Sequence, residues 1–109
     1  MPIARIIMCE QYSKAGRDQL LKEHREAVEN GFLKDCEFSV AVRTGDTSYM
    51  VLTLYATEEL ADANRDERVK WHEDRESLIR EDFYHEGEVV TLIKGGGAPL
   101  LTDYPAKLN

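Results

Sequence analysis

The sequence has few of the residues that would assign it to several common classes of protein. Its only two cysteines, Cys9 and Cys36, lack CxxC spacing, so we expect no disulfide scaffold and a reducing compartment, with the cytoplasm as the default. No apolar run approaches the roughly 20 residues needed to span a bilayer. Met1–Glu10 holds one arginine and no small-residue cleavage site, so no signal peptide is expected.

Basic residues are also scarce, since 14 Lys and Arg face 21 Asp and Glu for a net charge of −7. This balance argues against nucleic acid or a membrane surface as a partner, because both require clustered positive charge. The three histidines, His24, His72 and His85, lack the spacing of metal ligands, so no metal site is predicted. The sequence after Gly95–Gly97 predicts no helix, so no phosphate-binding loop is expected there. We expect no cofactor.

The elements that the pattern does predict follow one another in a recognisable order. Hydrophobic periodicity and turn residues indicate four strands, at Ile3–Cys9, Cys36–Arg43, Tyr49–Ala56 and Glu88–Ile93, and two helices, at Ser13–Asn30 and Thr57–Asp82. The order β-α-β-β-α-β is that of the ferredoxin-like α+β fold. We therefore predict one domain over residues 1–94, with an antiparallel sheet in the strand order 4-1-3-2 and both helices on one face.

The opposite face of such a sheet carries no helix, and the sequence makes both faces apolar. We expect Ala4, Ile6 and Met8 to face the helices, and the open face to carry Ile3, Ile7, Cys9, Tyr49, Val51 and Tyr55. An apolar open face predicts that a second copy covers it, sheet on sheet, as in a dimeric α/β barrel. A glycine hinge then begins residues 95–109, an apolar tail that we expect to pack on the body or the partner through Leu100, Leu101, Tyr104 and Leu108.

The predicted second helix has unusual residues on the side that should face the protein. Asn64, Arg68, Trp71 and Arg75 fall on one side at spacings of i, i+4, i+7 and i+11. The arginines either form structural ion pairs with their stems on the core, or they line a pocket and bind an anionic ligand against an apolar wall. In the second interpretation Tyr55 is a further candidate ligand-binding residue.

Two histidines are candidates for a general base in such a pocket. His24 lies in the apolar stripe of the first helix, and His72 follows Trp71. A histidine placed within reach of a substrate can remove a proton at neutral pH. The structural alternative for His24 is a core histidine hydrogen-bonded to a neighbour.

Two segments resemble the dimeric α/β-barrel superfamily, and in particular the antibiotic-biosynthesis-monooxygenase-like proteins. One is the opening strand followed by QYSKAGRDQLLKEHREAVE; the other is the third strand passing directly into TEELADANRDE. The resemblance covers about Ile3 to Ile93. It implies a homodimer with a pocket between the sheet and the helices of each subunit, and activities such as cofactor-independent oxygenation of aromatic compounds or haem breakdown.

The sequence departs from the haem-degrading members of that superfamily. The tryptophan and histidine of their second helix would align with Asn64 and Asp74, and Ile3–Cys9 has no asparagine. The resemblance therefore disfavours haem breakdown and assigns no catalytic residue by position. Two hypotheses follow: an enzyme resembling cofactor-independent monooxygenases that acts on a hydrophobic acidic or aromatic compound, and a non-catalytic dimer that binds a small ligand.

Overall fold

The fold is a four-stranded sheet with helices on one face. The computed structural model describes residues 2–93. In chain order these form β1 (Ile3–Gln11), α1 (Lys14–Glu29), β2 (Phe38–Gly45), β3 (Ser48–Tyr55), α2 (Glu58–Ala63), α3 (Arg65–Glu73), a 3-10 turn (Glu76–Leu78) and β4 (Ile79–Glu88). The predicted order is confirmed, with the second helix divided into α2 and α3.

All strand pairs are antiparallel, and the sheet has the order β2-β3-β1-β4. This is the predicted 4-1-3-2 order read from the other edge. β1 therefore lies between β3 and β4, and side chains near its middle are close to both neighbours. The ferredoxin-like α+β fold that the element order predicted is confirmed.

The first helix begins and ends where the sequence predicted. The Ser13 side chain accepts a hydrogen bond from the Gly16 backbone N–H at 3.0 Å, and Asn30 is the C-cap. Gly31 follows with φ 102°, in the left-handed region that favours glycine. The chain then turns so that Phe32 and Leu33, the latter with φ 64°, are buried in the core.

The prediction of one helix from Thr57 to Asp82 is wrong. Thr57 does cap α2, accepting from the Leu60 N–H at 3.2 Å, but the helical structure breaks at Asn64 and α3 ends at Glu73. The predicted strand Glu88–Ile93 is also wrong, because the fourth strand, β4, begins at Ile79 and ends at Glu88. Charged side chains that matched the helical period thus belong to an edge strand.

The two faces of the sheet are the reverse of the prediction. The helices pack on the row that includes Ile3, Arg5, Cys9, Tyr49, Val51 and Tyr55, all of them buried. The reason is that Leu20 of α1 and Trp71 of α3 join Cys9, Tyr49 and Val51 in one core cluster. The open face instead carries Ala4, Ile6, Met8, Phe38, Val40, Val42, Met50, Leu52 and Phe83, placed together by the strand registers. It remains apolar, and Met8 and Phe83 are 47% and 52% exposed.

Two further predictions concern membrane-spanning segments and the C-terminal tail. No helix formed by residues 2–93 is long and apolar enough to cross a membrane. The tail of residues 95–109 lies outside the described residues, so its packing, and with it the division of the chain at residue 94, stays a prediction.

Candidate functional site

A small, largely enclosed cavity lies between the helix-covered face of the sheet and the helices α1 and α3. Its volume of about 30 Å³ is enough for roughly one water molecule. Four apolar side chains line it, Ile7, Phe32, Leu33 and Val51. So do eight that carry a polar group: Arg5, His24, Tyr49, Thr53, Tyr55, Arg68, Trp71 and His72.

Trp71 forms the aromatic wall of this cavity. α3 places it inward, where it is 8% exposed. The ring of Phe32 stacks on it with 6.1 Å between centroids, and the ring of His24 meets it nearly perpendicularly at 5.8 Å. The indole Nε1–H is buried and has no hydrogen-bond partner within the described part of the chain. This wall can pack against an apolar or aromatic ligand while leaving a donor for a polar group.

The two candidate bases, His24 and His72, both lie against this tryptophan, His72 at 5.3 Å between ring centroids. Burial lowers the pKa of His24 below its ordinary value of 6.5, and the charge of His72 adds to the effect. Burial likewise lowers the pKa of His72, assisted by Arg68. Both imidazoles are therefore neutral at neutral pH and able to accept a proton.

Arg5 is a cavity residue that the sequence analysis did not select. It lies in the middle of β1, is 2% exposed, and donates from Nε to Glu86 Oε1 at 2.8 Å. Its Nη1 and Nη2 atoms have no hydrogen-bond partner among residues 2–93. The sequence signal was a charge within an apolar strand. The residue is nevertheless one of the most buried in the fold.

Arg68 contributes a second guanidinium to the same cavity. Its Cζ atom lies 4.3 Å from the centre of the Tyr84 ring, and its buried Nε has no hydrogen-bond partner in the described residues. Burial lowers the pKa of Arg68, and the positive charge of Arg5 acts in the same direction, since the two cations are close.

Tyr55 and Asn64 form a buried hydrogen bond beside the cavity. The Tyr55 hydroxyl donates to Asn64 Oδ1 at 2.9 Å, and both residues are buried. Tyr55 lines the cavity, but Asn64 does not. Asn64 therefore supports the tyrosine from behind the wall.

Arg75 is a predicted site residue that lies behind the Trp71 wall and outside the cavity. Its Nε donates to Glu23 Oε1 at 3.0 Å, and its Nη1 donates to the Trp71 carbonyl at 3.1 Å. Its Cζ lies 4.1 Å from the Trp71 ring centre, yet it does not line the cavity. The structure thus brings Tyr55, Arg68 and Trp71 together with both histidines, and leaves Asn64 and Arg75 outside.

Some side chains that line the cavity also line two grooves at the surface. His24 also lines an open groove of about 790 Å³ between α1 and β2. Arg68 and His72 also line a groove of about 210 Å³ between α3 and β4. Within residues 2–93 no group of three His, Cys, Asp or Glu side chains could hold a metal ion.

Comparison with known proteins adds the identity of the fold. No protein-family model and no curated protein matches the chain. Among solved structures, the chain is similar to a protein from Chloroflexus aurantiacus that is assigned as an antibiotic biosynthesis monooxygenase. The two chains are 15% identical with a TM-score of 0.68, and the match covers 88% of this chain and 100% of that one. It is similar to SnoaB, a cofactor-independent oxygenase from Streptomyces nogalater, at 9% identity and a TM-score of 0.62, with 81% and 92% covered.

A third solved structure is a dimeric ferredoxin-like protein from an uncultured marine organism, at 12% identity and a TM-score of 0.70, with 85% of this chain and 91% of that one covered. At these identities the likeness shows a shared fold. The fold that the resemblance to the antibiotic-biosynthesis-monooxygenase-like proteins implied is therefore confirmed.

Proposed function

We propose that the chain is a small-molecule enzyme of the kind represented by cofactor-independent monooxygenases, acting on a hydrophobic acidic or aromatic compound in the cavity. The observation that carries this proposal is the composition of that cavity. An aromatic wall at Trp71, two neutral imidazoles and two guanidiniums converge on one enclosed space. The similarity in fold to a cofactor-independent oxygenase supports the same reaction class.

Such a site can oxidise a carbon acid with O₂ as the only co-reactant. A neutral imidazole removes a proton from a CH₂ group activated by a neighbouring phenol or ketone. A guanidinium stabilises the resulting enolate or phenolate oxygen. The carbanion gives its electrons to O₂, a carbon–hydroperoxide forms, and loss of water leaves a ketone, so that CH₂ and O₂ become C=O and H₂O. The substrate supplies all the electrons, and no bound redox group is required.

The size of the cavity sets a condition on this reaction. A space of about 30 Å³ cannot hold an aromatic substrate. The side chains that separate it from the outer grooves, His24 on one side and Arg68 with His72 on the other, must therefore move when a ligand enters. The proposed bases are themselves part of these walls.

A second candidate function is binding of the same class of ligand without turnover. It is favoured by one observation: Nδ1 of His72 is buried and has no hydrogen-bond partner among the described residues. Catalytic imidazoles are usually oriented by a third group that accepts from the other ring nitrogen. A protein that only binds its ligand has no need of an oriented base.

Oxygen uptake distinguishes the two functions. The purified protein is incubated with hydroxylated anthrones, quinols and aromatic acids, while dissolved O₂ and the emission of Trp71, the only tryptophan, are recorded. We expect consumption of one O₂ per substrate, and incorporation of one atom of isotopically labelled O₂ into the ketone. Emission changes without O₂ uptake support the binding protein, and the absence of both contradicts the two proposals together.

Histidine variants test the proposed base. His24→Gln and His72→Gln are expected to slow O₂ uptake, by about 10²-fold or more for the residue that acts as the base. His85 provides the matched control, because it pairs with Ile6 on the opposite face of the sheet from the cavity and does not line the cavity. His85→Gln is expected to keep the wild-type rate. Equal rates in all three variants would exclude a histidine base.

We also infer that the protein pairs with a second copy of itself through the open face. Several large apolar side chains on this face are about half exposed, among them Met8, Val40 and Phe83. Contiguous apolar patches of this kind usually mark an interface. One protein of similar fold is described as dimeric, which supports the same arrangement here.

A further inference from the structure

The end of the cavity nearest β4 has an excess of buried positive charge. Arg5 and Arg68 both line the cavity, and Glu86 is the carboxylate that pairs most closely with Arg5. The side chain of Glu86 is 28% exposed and also accepts from the partly exposed Arg65 at 3.5 Å. Three arginines, Arg5, Arg65 and Arg68, face two carboxylates, Glu86 and Asp62, which leaves one positive charge without a partner at this end of the cavity.

The hydrogen bonds of Arg5 show the same deficit. Its Nε–H is satisfied by Glu86, but the N–H groups on Nη1 and Nη2 are buried without a hydrogen-bond partner in residues 2–93. Asp62 Oδ1 is 3.9 Å from Nη2, beyond hydrogen-bonding distance, and accepts from Arg65 at 2.7 Å. A buried guanidinium with unsatisfied donors is strongly unfavourable unless another acceptor is bound.

We propose that Arg5, together with Arg68, forms an anion-binding site that recognises one ionised oxygen group of an apolar ligand, such as a carboxylate, phenolate or enolate. The inference rests on the proposed function, since the ligand is the compound that enters the cavity. The unsatisfied Nη groups of Arg5 supply a planar pair of donors suited to two oxygens of a carboxylate. Arg68 Nε supplies a third donor.

The ligand's charge and orientation follow from this arrangement. One unbalanced positive charge is neutralised by a monoanion, so a singly charged ligand is preferred to a neutral one. Its apolar body lies against Trp71 and Phe32, since these two residues contribute stacked aromatic rings to the lining. The acidic oxygen then lies at the arginine end, and the body of the ligand lies beside the two histidines.

Arg75 provides a matched comparison for Arg5. Both are arginines whose guanidinium lies over an aromatic ring of this region, Arg5 at 5.2 Å from Tyr55 and Arg75 at 4.1 Å from Trp71. Arg75 is paired with Glu23 and does not line the cavity. Replacing it removes one positive charge from the protein without removing a donor from the proposed site.

The test compares an acid with its neutral isostere. Binding of octanoate and of octanamide to the full-length protein is measured by titration calorimetry at neutral pH. We expect octanoate to bind at least tenfold more tightly, which corresponds to about 1.4 kcal/mol. Arg5→Met is expected to abolish this preference, whereas Arg75→Met retains it. Circular dichroism and thermal melting establish that each variant is folded.

Each outcome decides one point. Equal binding of the two probes by the wild-type protein, or an unchanged preference in folded Arg5→Met, overturns the anion site while leaving the proposed function intact. If Arg5→Met does not fold, the same two probes are compared in Arg68→Met. If folded Arg68→Met prefers octanoate over octanamide as strongly as the wild-type protein does, the paired site is overturned. If neither probe binds, the anion site is overturned, and the O₂-uptake measurement decides the proposed function separately.

Discussion

At the scale of single residues, Trp71 packs against several side chains of the candidate site. Phe32, His24 and His72 contact its ring, and the guanidinium of Arg75 lies over it. Two of these neighbours are histidines whose pKa burial lowers below 6.5, so the packing of the tryptophan is coupled to proton binding. That coupling gives the molecule a measurable dependence on pH.

We predict that the protein becomes less stable as the solution is acidified from about pH 8 to about pH 5.5. Burial lowers the pKa of His24 and His72 below 6.5 in the folded state, so the unfolded chain binds more protons in this range. Their contribution to the free energy of unfolding is complete above 6.5 and is lost as the pH falls through the lowered values. Thermal melting across the range measures it.

The double variant His24→Gln, His72→Gln serves as the control for this prediction. Its melting temperature should fall less steeply over the same interval, because neither side chain then binds a proton. A wild-type protein whose stability is constant, or increases on acidification, would contradict the assignment of both histidines as buried and neutral.

At the scale of elements, the end of α1 determines how Phe32 and Leu33 reach the cavity. Gly31 has φ 102°, a backbone conformation that residues other than glycine rarely adopt. Gly31→Ala is therefore expected to lower the free energy of unfolding by about 1–2 kcal/mol, measured by urea denaturation. No neighbouring atom lies within 4 Å of the added Cβ, so the effect isolates backbone strain.

Gly87→Ala is the control for Gly31→Ala. Gly87 belongs to β4, also has no atom within 4 Å of an added Cβ, and is not among the glycines with positive φ. We expect a change near zero. Equal losses at the two positions would show that the left-handed turn is not the source of the strain.

The sequence predicted the first half of the fold better than the second. α1 was recognisable from its capping residues, and the first three strands were recognisable from their apolar residues. β4 was not, since all its residues except Ile79 are exposed in the single chain and no alternation marks a buried face. Its acidic and basic residues continued the helical pairing of α3, and the break at Asn64 carries no proline or glycine.

The candidate site was predictable where its residues lay on segments whose period the sequence shows, namely α1, α3 and, for Tyr55, β3. Arg68, Trp71 and His72 share the helical period of α3, and His24 lies in the apolar stripe of α1. Arg5 was not selected, because both faces of β1 are apolar and periodicity alone cannot show which one the helices cover. That choice depends on which row packs against Leu20 and Trp71, a tertiary contact.

At the scale of the whole molecule, the open face of the sheet decides the assembly. We predict a dimer that buries on the order of 2,000 Å² in total. Met8→Lys combined with Phe83→Lys should produce a monomer, because these residues face each other across β1 and β4 and are about half exposed. Sedimentation velocity at micromolar concentration measures the change.

Val28→Lys combined with Val69→Lys is the matched control. Both valines are 39% exposed and lie on helices, so the variant adds two lysines away from the open face. It should remain a dimer. A monomeric wild-type protein, or dimers in both double variants, would contradict pairing through this face.

The division of the second helix at Asn64 has a kinetic consequence. α3 is a separate nine-residue element that carries Arg68, Trp71 and His72, while the hydrogen bond from Tyr55 holds Asn64 at its start. Because the closed cavity is about the size of one water, a larger ligand enters only after α3, or the side chain of His24 on α1, has shifted. Association therefore includes a unimolecular step, and its observed rate reaches a plateau at high ligand concentration that equals the opening rate of the cavity.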